Sequence, residues 1–351
     1  MIETPRLHPT LQAVADAAGV HRSTASRALN PQTAHLVADD VAERIQAAAR
    51  RLGYRRDAMA AGLRTKHSHL VGIAVPDMAN LVFAPILCGI EDVLAKNGYS
   101  ALIANTGSDV ARQIDVVDQL IGRRVEGLIL ATVQQEDDPV LTRCLEARVP
   151  TVLVNRAEAR HRAPAVISDD LNGMRIAVEH LIGLGHRRIG HLAGPQNLST
   201  GVLRLQGFRE AMERAGLDAS AVMCASAYSR EAGAVAGGAL LDRFGDLTAV
   251  AAANDLLALG LYGALGERGL SCPADVSVVG HNDMPLVDMV SPPLTSVRIR
   301  HQEMGAEAAR LLLEQMSGAA SGITIRVTPP ELIVRGSTGR RAARSRKAPA
   351  K

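Results

Sequence analysis

The N-terminal architecture is decided by residues 11–30, LQAVADAAGVHRSTASRALN. Its first half has apolar side chains at the i, i+3, i+4, i+7 spacing of one helical face, namely Leu11, Val14, Ala15 and Ala18. Thr10 is a suitable N-cap, and Gly19 suits a left-handed turn. A second short helix is predicted over residues 21–29. The stretch thus favours a helix–turn–helix, whose second helix fits the DNA major groove; an ordinary surface helical turn is the alternative.

A third helix is predicted from Asp39 to Leu52. Its apolar face consists of Val41, Ile45, Ala48, Ala49 and Leu52. The acidic start suits the positive end of the helix dipole, and Gly53 suits the C-terminus. The first part of the chain is therefore expected to be an all-α headpiece that ends before residue 68.

From His69 the pattern changes to short apolar runs that alternate with helical stretches. One set begins with the predicted strand 70–75, and a second set begins with the predicted strand 165–168. Strands alternating with helices of this kind indicate βαβ units and parallel sheets. Two sets in series predict an α/β body of two doubly wound lobes, with ligands bound beyond the carboxyl ends of the strands.

Charge is distributed unevenly over the 351 residues, whose formal net charge is +3. Residues 1–66 carry 10 basic and 6 acidic side chains, and residues 335–351 carry 7 basic and no acidic ones, which leaves −8 for residues 67–334. Basic ends on an acidic body suggest that the ends meet a polyanion. An aromatic content of 2% argues against a lectin-like surface and against stacking platforms for single-stranded nucleic acid.

Metal, cofactor and catalytic chemistry is not expected. The four cysteines, Cys88, Cys144, Cys224 and Cys272, are far apart in sequence and are read as free thiols. His180, His186 and His191 do not share a helix face, so a structural role is favoured over a metal site. We find no nucleophile-elbow or P-loop motif, which argues against an enzyme. The absence of an apolar leader or membrane span predicts a cytoplasmic, nucleoid-associated protein.

Several motifs, taken together, resemble the LacI/GalR (lactose-repressor/galactose-repressor) family of bacterial transcription regulators. Besides the opening stretch they are AAARRLGY at 47–54, VEHLIGLGHRRI at 178–189, LAGP at 192–195, ND at 254–255 with ALG at 258–260, VVG at 278–280 and PLTSV at 293–297. The resemblance spans most of the chain and implies a body of the type I periplasmic-binding-protein-like fold.

Domain boundaries follow from this resemblance. The headpiece is expected at residues 8–56, a hinge helix and linker at 57–68, and the two-lobed body at 69–335. Lobe 1 is expected at about 69–165 and 300–325, and lobe 2 at about 166–299 and 326–335. Residues 336–351 are read as a basic, disordered tail.

The resemblance also implies a mechanism. A homodimer would place two headpieces on a pseudo-palindromic, double-stranded operator, and a small-molecule effector between the lobes would change operator affinity. Repression is favoured over activation. The tail has no apolar heptads, which disfavours a coiled-coil tetramer. Met304, Ala308, Leu311 and Leu312 form an apolar stripe that suits either a dimer contact or core packing.

DNA contacts are carried over position by position. Arg22, Ser23 and Arg27 are expected to read bases, although Arg27 could instead hold a phosphate. The expected phosphate contacts are Thr10, Thr24, Ser26, Asn30 and Tyr54. Ala60 and Leu63 fall on the minor-groove hinge positions, where Leu63 could alternatively pack against the body.

Two departures from the family pattern concern helix starts. His21 stands where the family usually has Ser, a better N-cap. Arg56-Asp57 replaces the usual Pro-Asn before the hinge helix, so we expect a hinge that is less ordered without DNA.

Effector contacts implied by the resemblance are Asn80, Phe83, Thr200, Arg204, Tyr228, Asn254 and Asn282. Tyr228 falls where relatives stack an aromatic ring on the ligand, and Asn282 falls where many carry Asp. Because an amide both donates and accepts, this exchange argues against a simple sugar ligand. Each position could instead have a structural role.

Two other functional classes compete with a transcription regulator, namely a solute-binding protein and a doubly wound enzyme. For the regulator, no membrane partner is expected.

Overall fold

The computed structural model describes residues 9–30, 33–54, 67–319 and 322–341. The chain divides into two compact units, Met1–Ser68 and His69–Lys351. This division falls where the sequence pattern changes. Each unit is described here by itself.

The headpiece contains the three predicted helices. They are α1 (Leu11–Ala18), α2 (Arg22–Ala28) and α3 (Asp39–Leu52), with a short 3-10 turn at Ala34–Leu36. The Thr10 hydroxyl accepts from the backbone N–H of Ala13 at 3.2 Å, and Gly19 takes the left-handed conformation at φ 64°. A small apolar core joins the helices, namely Val14, Ala15, Ala18, Ala25, Ala28, Ile45, Ala48 and Ala49. The predicted helix–turn–helix is therefore confirmed.

His21 caps α2, although the sequence suggested a poor cap. Its imidazole Nδ1 accepts from the backbone N–H of Ser23 at 3.3 Å and lies 2.8 Å from the Ser23 hydroxyl. A side-chain acceptor at this position satisfies one of the backbone donors that a helix start leaves without a partner. The imidazole thus serves as the N-cap of α2.

Lobe 1 of the body is built on a six-stranded parallel sheet. In chain order its elements are β1 (Leu70–Val75), α4 (Phe83–Lys96), β2 (Ser100–Asn105), α5 (Val110–Gly122), β3 (Gly127–Leu130), α6 (Pro139–Glu146), β4 (Thr151–Val154), β5 (Ala165–Ser168) and, near the end of the chain, α11 (His301–Met316) and β11 (Ile325–Thr328). The strand order is β11-β5-β4-β3-β1-β2. All five pairings are parallel.

Lobe 2 has the same winding. Its elements are α7 (Asp170–Gly183), β6 (Ile189–Ala193), α8 (Ser199–Arg214), β7 (Val222–Cys224), α9 (Arg230–Arg243), β8 (Ala249–Ala252), α10 (Asp255–Glu267), β9 (Ser277–Asn282), β10 (Thr295–Arg298) and β12 (Glu331–Ile333). The strand order is β12-β10-β9-β8-β6-β7, with β12 antiparallel to β10. The strand order reverses at β1 in lobe 1 and at β6 in lobe 2, and doubly wound sheets bind ligands beside such switch points.

The predicted lobe boundaries are wrong at two strands. The sequence placed residues 166–168 and 326–328 in lobe 2, whereas β5 and β11 pair with each other and complete the lobe 1 sheet. Hydrophobic periodicity identifies a strand but not the sheet that it joins. Which lobe each of the two crossing segments belongs to depends on strand pairing over long sequence separation, and the local sequence pattern does not show this pairing.

Helices α4 and α11 pack closely through two glycines. A Cβ on Gly89 would overlap the carbonyl oxygen of Gln302, and a Cβ on Gly305 would overlap that of Ile86. The apolar stripe on α11, comprising Met304, Ala308, Leu311 and Leu312, is buried within the body. Core packing is therefore the structural reason for this stripe.

Part of the predicted disordered tail is ordered. The Ser337 hydroxyl donates to the carbonyl of Val278 at 2.6 Å and accepts from the backbone N–H of Thr295 at 2.7 Å. Two histidines hold the next residues: His180 Nε2 lies 2.9 Å from the Thr338 hydroxyl, and His186 Nε2 lies 3.0 Å from the Gly339 carbonyl. The tail prediction relied on charge and missed these short polar residues. Residues 342–351 lie outside the described part.

Membrane spans and metal-ligand clusters concern only the described part of the chain. No described helix is both long and apolar enough to cross a membrane. Nor do three or more potential metal ligands cluster among these residues.

Candidate functional site

The second headpiece helix presents its polar side chains outward. Arg22, Ser23 and Arg27 are exposed, whereas Ala25 and Ala28 are buried against α1 and α3. Neither guanidinium forms an ion pair with another described residue, so both are available to a polyanion. The three predicted base readers therefore share the exposed side of one short helix.

The predicted phosphate contacts lie around this helix. Thr10 is exposed, and its hydroxyl oxygen accepts from the N–H of Ala13. This bond uses a lone pair of the oxygen and leaves the hydroxyl proton available for donation. Thr24, Ser26, Asn30 and Tyr54 are partly buried. Ala60 and Leu63 lie outside the described residues.

A second cluster of polar side chains lies at the carboxyl ends of both body sheets. Asn80 and Phe83 follow β1, Thr200 and Arg204 belong to α8 after β6, and Tyr228, Asn254 and Asn282 lie at the ends of β7, β8 and β9. All seven line one cavity, together with Val82, Asn155 and Arg156. We call these ten residues the cleft. The structure thus brings together every residue that the sequence predicted for an effector site.

Three cleft residues were missed. Asn155 and Arg156 directly follow β4, and the rule that ligands lie beyond strand carboxyl ends could have found them. Val82, next to Phe83, provides only apolar lining and has no comparable signal.

Arg204 is held on all sides by protein groups. Its Nε and Nη2 donate to Asp170 Oδ1 at 2.8 and 2.7 Å, and its Nη1 donates to the carbonyl of Ala253 at 2.6 Å. Nη2 also lies 3.1 Å from Asn282 Oδ1. The Asp170 carboxylate raises the pKa of this buried guanidinium despite the opposing effect of burial. Arg204 therefore has a positioning role, because it fixes Asp170, the Ala253 carbonyl and Asn282 relative to one another.

Two cleft amides have part of their hydrogen bonding committed to the backbone. Asn80 Oδ1 accepts from the N–H of Val82 at 3.2 Å, and Asn254 Oδ1 caps α10 by accepting from Leu257 at 2.9 Å.

The backbone at Asn282, the third such amide, and at Asp283 has positive φ angles of 113° and 51°. Such backbone is concentrated at functional sites in proteins. Local structure thus fixes the placement of these amides.

Tyr228 lies against the turn after β6. A Cβ on Gly194 would overlap the Tyr228 hydroxyl, so only glycine permits this approach. The Arg204 guanidinium lies 6.0 Å from the ring centroid, at the limit of a cation–π contact. Burial raises the pKa of Tyr228, which keeps the phenol neutral. Neither its hydroxyl nor that of Thr200 forms a hydrogen bond of normal geometry with another described residue.

Arg156 differs from Arg204 in having no hydrogen-bond or ion-pair partner among the described residues. Its side chain lines the cavity, the residue is only 8% exposed, and its Nε has no acceptor. It forms no ion pair within the described part of the chain. Burial lowers the pKa of Arg156 to about 10, which still leaves it charged at neutral pH.

Ionisable side chains beside the cleft are also buried. Burial lowers the pKa of His191 and of His301 to about 4, and that of His281 well below its usual value. Burial raises the pKa of Asp255 to about 7. The three buried histidines are therefore neutral at pH 7.

The cavity itself is small, with a volume of about 20 Å³, roughly room for one water molecule. Sites for small ligands usually measure several hundred Å³. Admission of a larger molecule therefore requires the lobes to move apart or the lining side chains to turn.

Comparison with known proteins agrees with both parts of the chain. Residues 10–57 match the family "Bacterial regulatory proteins, lacI family", and residues 178–338 match the "Periplasmic binding protein-like domain". The transcriptional regulator MalR of Streptomyces coelicolor is 36% identical over 334 residues, which cover 93% of this chain and 95% of MalR.

Two solved structures extend the similarity. A lac repressor dimer bound to operator and the anti-inducer ONPF matches with a TM-score of 0.85 at 29% identity, covering 95% of this chain and 99% of that one. The complex of the regulator CelR with cellobiose matches with a TM-score of 0.72 at 33% identity, covering 94% and 100%. The headpiece, the two-lobed body and these similarities together show that the chain belongs to the LacI family, whose members are DNA-binding transcriptional regulators and not enzymes.

Proposed function

We propose that the chain is a repressor that binds a pseudo-palindromic operator as a homodimer under the control of a small molecule in the cleft. One observation carries this proposal: the same chain has an exposed recognition helix and a second cluster of polar side chains between two lobes. Similar proteins are described with an operator and with cellobiose, which supports both halves of the proposal.

On the operator, α2 would enter the major groove. Arg22, Ser23 and Arg27 would contact base edges, where arginine can bond guanine through two donors. Thr10, Thr24, Ser26, Asn30 and Tyr54 would hold phosphates and set the register. Ala60 and Leu63 would act in the minor groove.

In the body, ligand binding would change how the two lobes close. Because the cleft takes residues from both sheets, a ligand that contacts both lobes binds one degree of closure better than another. Only such a difference in affinity can shift a conformational equilibrium. We infer that closure is coupled through residues 57–68 to the headpieces of a dimer acting in the cytoplasm.

The first test is selection of operators from a random duplex library by the full chain, followed by gel shifts at several salt concentrations. We expect a two-fold symmetric site and an affinity that falls steeply with salt as counterions are released. Sedimentation of the complex should give two chains for each duplex. Recovery of no preferred duplex overturns the proposal.

A further inference from the structure

The cleft contains one buried cation that has no counter-ion in the part of the chain that the structure describes. Arg156 and Arg204 are 8% and 2% exposed, but only Arg204 meets a carboxylate. Ionic groups that are buried without a partner are strongly destabilising. A protein that keeps one facing a ligand cavity provides a binding charge that the ligand can neutralise.

No carboxylate lines the cleft to neutralise Arg156. The lining consists of amides, hydroxyls, two apolar side chains and the two arginines. Asp170, behind this lining, already receives two donors from Arg204. Asp255 is engaged by the hydroxyl of Ser296 and the backbone N–H of Met284. The group formed by Arg156, Arg204 and Asp170 thus has one positive charge in excess.

Three buried polar atoms in the same cavity form no hydrogen bond of normal geometry with the described residues, namely Arg156 Nε, Thr200 Oγ1 and Tyr228 Oη. The Thr200 and Tyr228 hydroxyls lie close enough to interact, and this contact lowers the pKa of Tyr228 against the larger, opposite effect of burial. A guanidinium can only donate, and both hydroxyls can donate. An anionic oxygen group could accept from all three, whereas a neutral hydroxyl would leave the charge of Arg156 uncompensated.

We propose that the cleft binds a small polyhydroxylated anion whose carboxylate or phosphate oxygens pair with Arg156. The hydroxyls of Thr200 and Tyr228 complete the contact, and the amides of the cleft bind the hydroxyl groups of the ligand. This inference rests on the proposed function, because it assigns the ligand class to the proposed effector site. It separates this chain from relatives that are described with neutral saccharides.

The test uses isothermal titration of the full chain with D-gluconate, D-glucose 6-phosphate, acetate, inorganic phosphate and D-glucose. We expect saturable binding of at least one anion, with glucose bound roughly thirtyfold or more weakly than the better of its two charged derivatives. Gluconate against glucose 6-phosphate distinguishes a carboxylate from a phosphate ligand. Binding of none of the four anions, or equal binding of glucose, overturns the proposal.

Matched variants identify the group responsible. Arg156→Met removes the charge at similar volume and should weaken anion binding roughly thirtyfold or more, whereas Arg156→Lys should retain a larger share. Arg209→Met changes an exposed arginine on α8 and should leave binding unchanged. Equal anion affinity for the wild type and Arg156→Met contradicts the proposal.

Operator binding without any of these ligands is measured on the same proteins. A chain that binds its selected operator but discriminates no anion overturns only the ligand assignment. A chain that binds no selected duplex overturns the proposed function, whichever anions it binds.

Discussion

The headpiece helix and the cleft use arginine in opposite ways. Arg22 and Arg27 are exposed and lack ion pairs with described residues, so folding requires no desolvation of their charge. Arg156 and Arg204 are buried, and each must be compensated by the protein or by a ligand. Binding and stability are therefore separable in the headpiece, whereas in the cleft the same side chains serve both.

The largest effect on stability is expected for Arg204→Met. The substitution leaves the buried carboxylate of Asp170 without its partner, which should lower the free energy of unfolding by about 3–5 kcal/mol. Denaturant unfolding of the body checks this. The double variant Asp170→Asn, Arg204→Met should recover most of the lost free energy of unfolding. If Arg204→Met alone lowers this free energy by less than about 1 kcal/mol, the pair behaves like a surface ion pair.

Gly194→Ala is expected to have the next largest effect. Its methyl group would overlap the Tyr228 hydroxyl and push the ring from its place, at a cost of about 1–3 kcal/mol. Combination with Tyr228→Ala should remove the overlap, so the two changes should not be additive in a double-mutant cycle. Additive losses would mean that the overlap is relieved elsewhere.

The buried histidines predict a dependence of stability on pH. Burial lowers the pKa of His191 from 6.5 to about 4. The unfolded chain therefore binds the proton first, and stability is present above pH 6.5 and lost as the pH falls toward 4. His191 Nδ1 donates to the Ala251 carbonyl at 2.8 Å, a bond that an Asn amide can imitate.

His191→Asn should accordingly reduce the slope of unfolding free energy against pH between 6.5 and 4 by one proton, about 1.4 kcal/mol per pH unit at most. Thermal unfolding of both proteins across this range measures the difference. Parallel curves for the wild type and the variant would contradict the assignment of a buried neutral imidazole.

The smallest stability effect is expected for Arg22→Ala in the headpiece. Its exposed side chain has no ion pair to lose within the described residues, so unfolding should change by less than about 0.5 kcal/mol. Discrimination at one operator base should fall by about 1–3 kcal/mol in competition binding. Arg44→Ala, an exposed change on α3, is the control. Uniform weakening across all operators would make Arg22 a phosphate contact.

Local patterns predicted local structure well. The bounds of α3 were predicted residue for residue, because an acidic start and a Gly end mark this helix. The membership of β5 and β11 in lobe 1 was not predicted, since it depends on pairing over long sequence separation. The ordered residues 336–341 were missed for the same reason: their partners lie on α7, in the loop after it, and on β9 and β10.

The cleft was predicted through the family resemblance and not through periodicity. Positions carried over from the family placed seven side chains in one cavity. Arg156 was not among the positions carried over. Its significance emerges from burial and from the absence of a counter-ion among the described residues, which only three-dimensional contacts reveal.

The measurement that tests the account most directly is operator affinity against the concentration of the tightest-binding anion, for the wild type and Arg156→Met. We expect both proteins to bind the operator without the anion. The anion should change the affinity of the wild type by about 5- to 150-fold, the usual range of allosteric coupling, and leave that of the variant unchanged. An anion response that persists in Arg156→Met, or a wild-type protein whose operator affinity ignores the bound anion, would contradict the account.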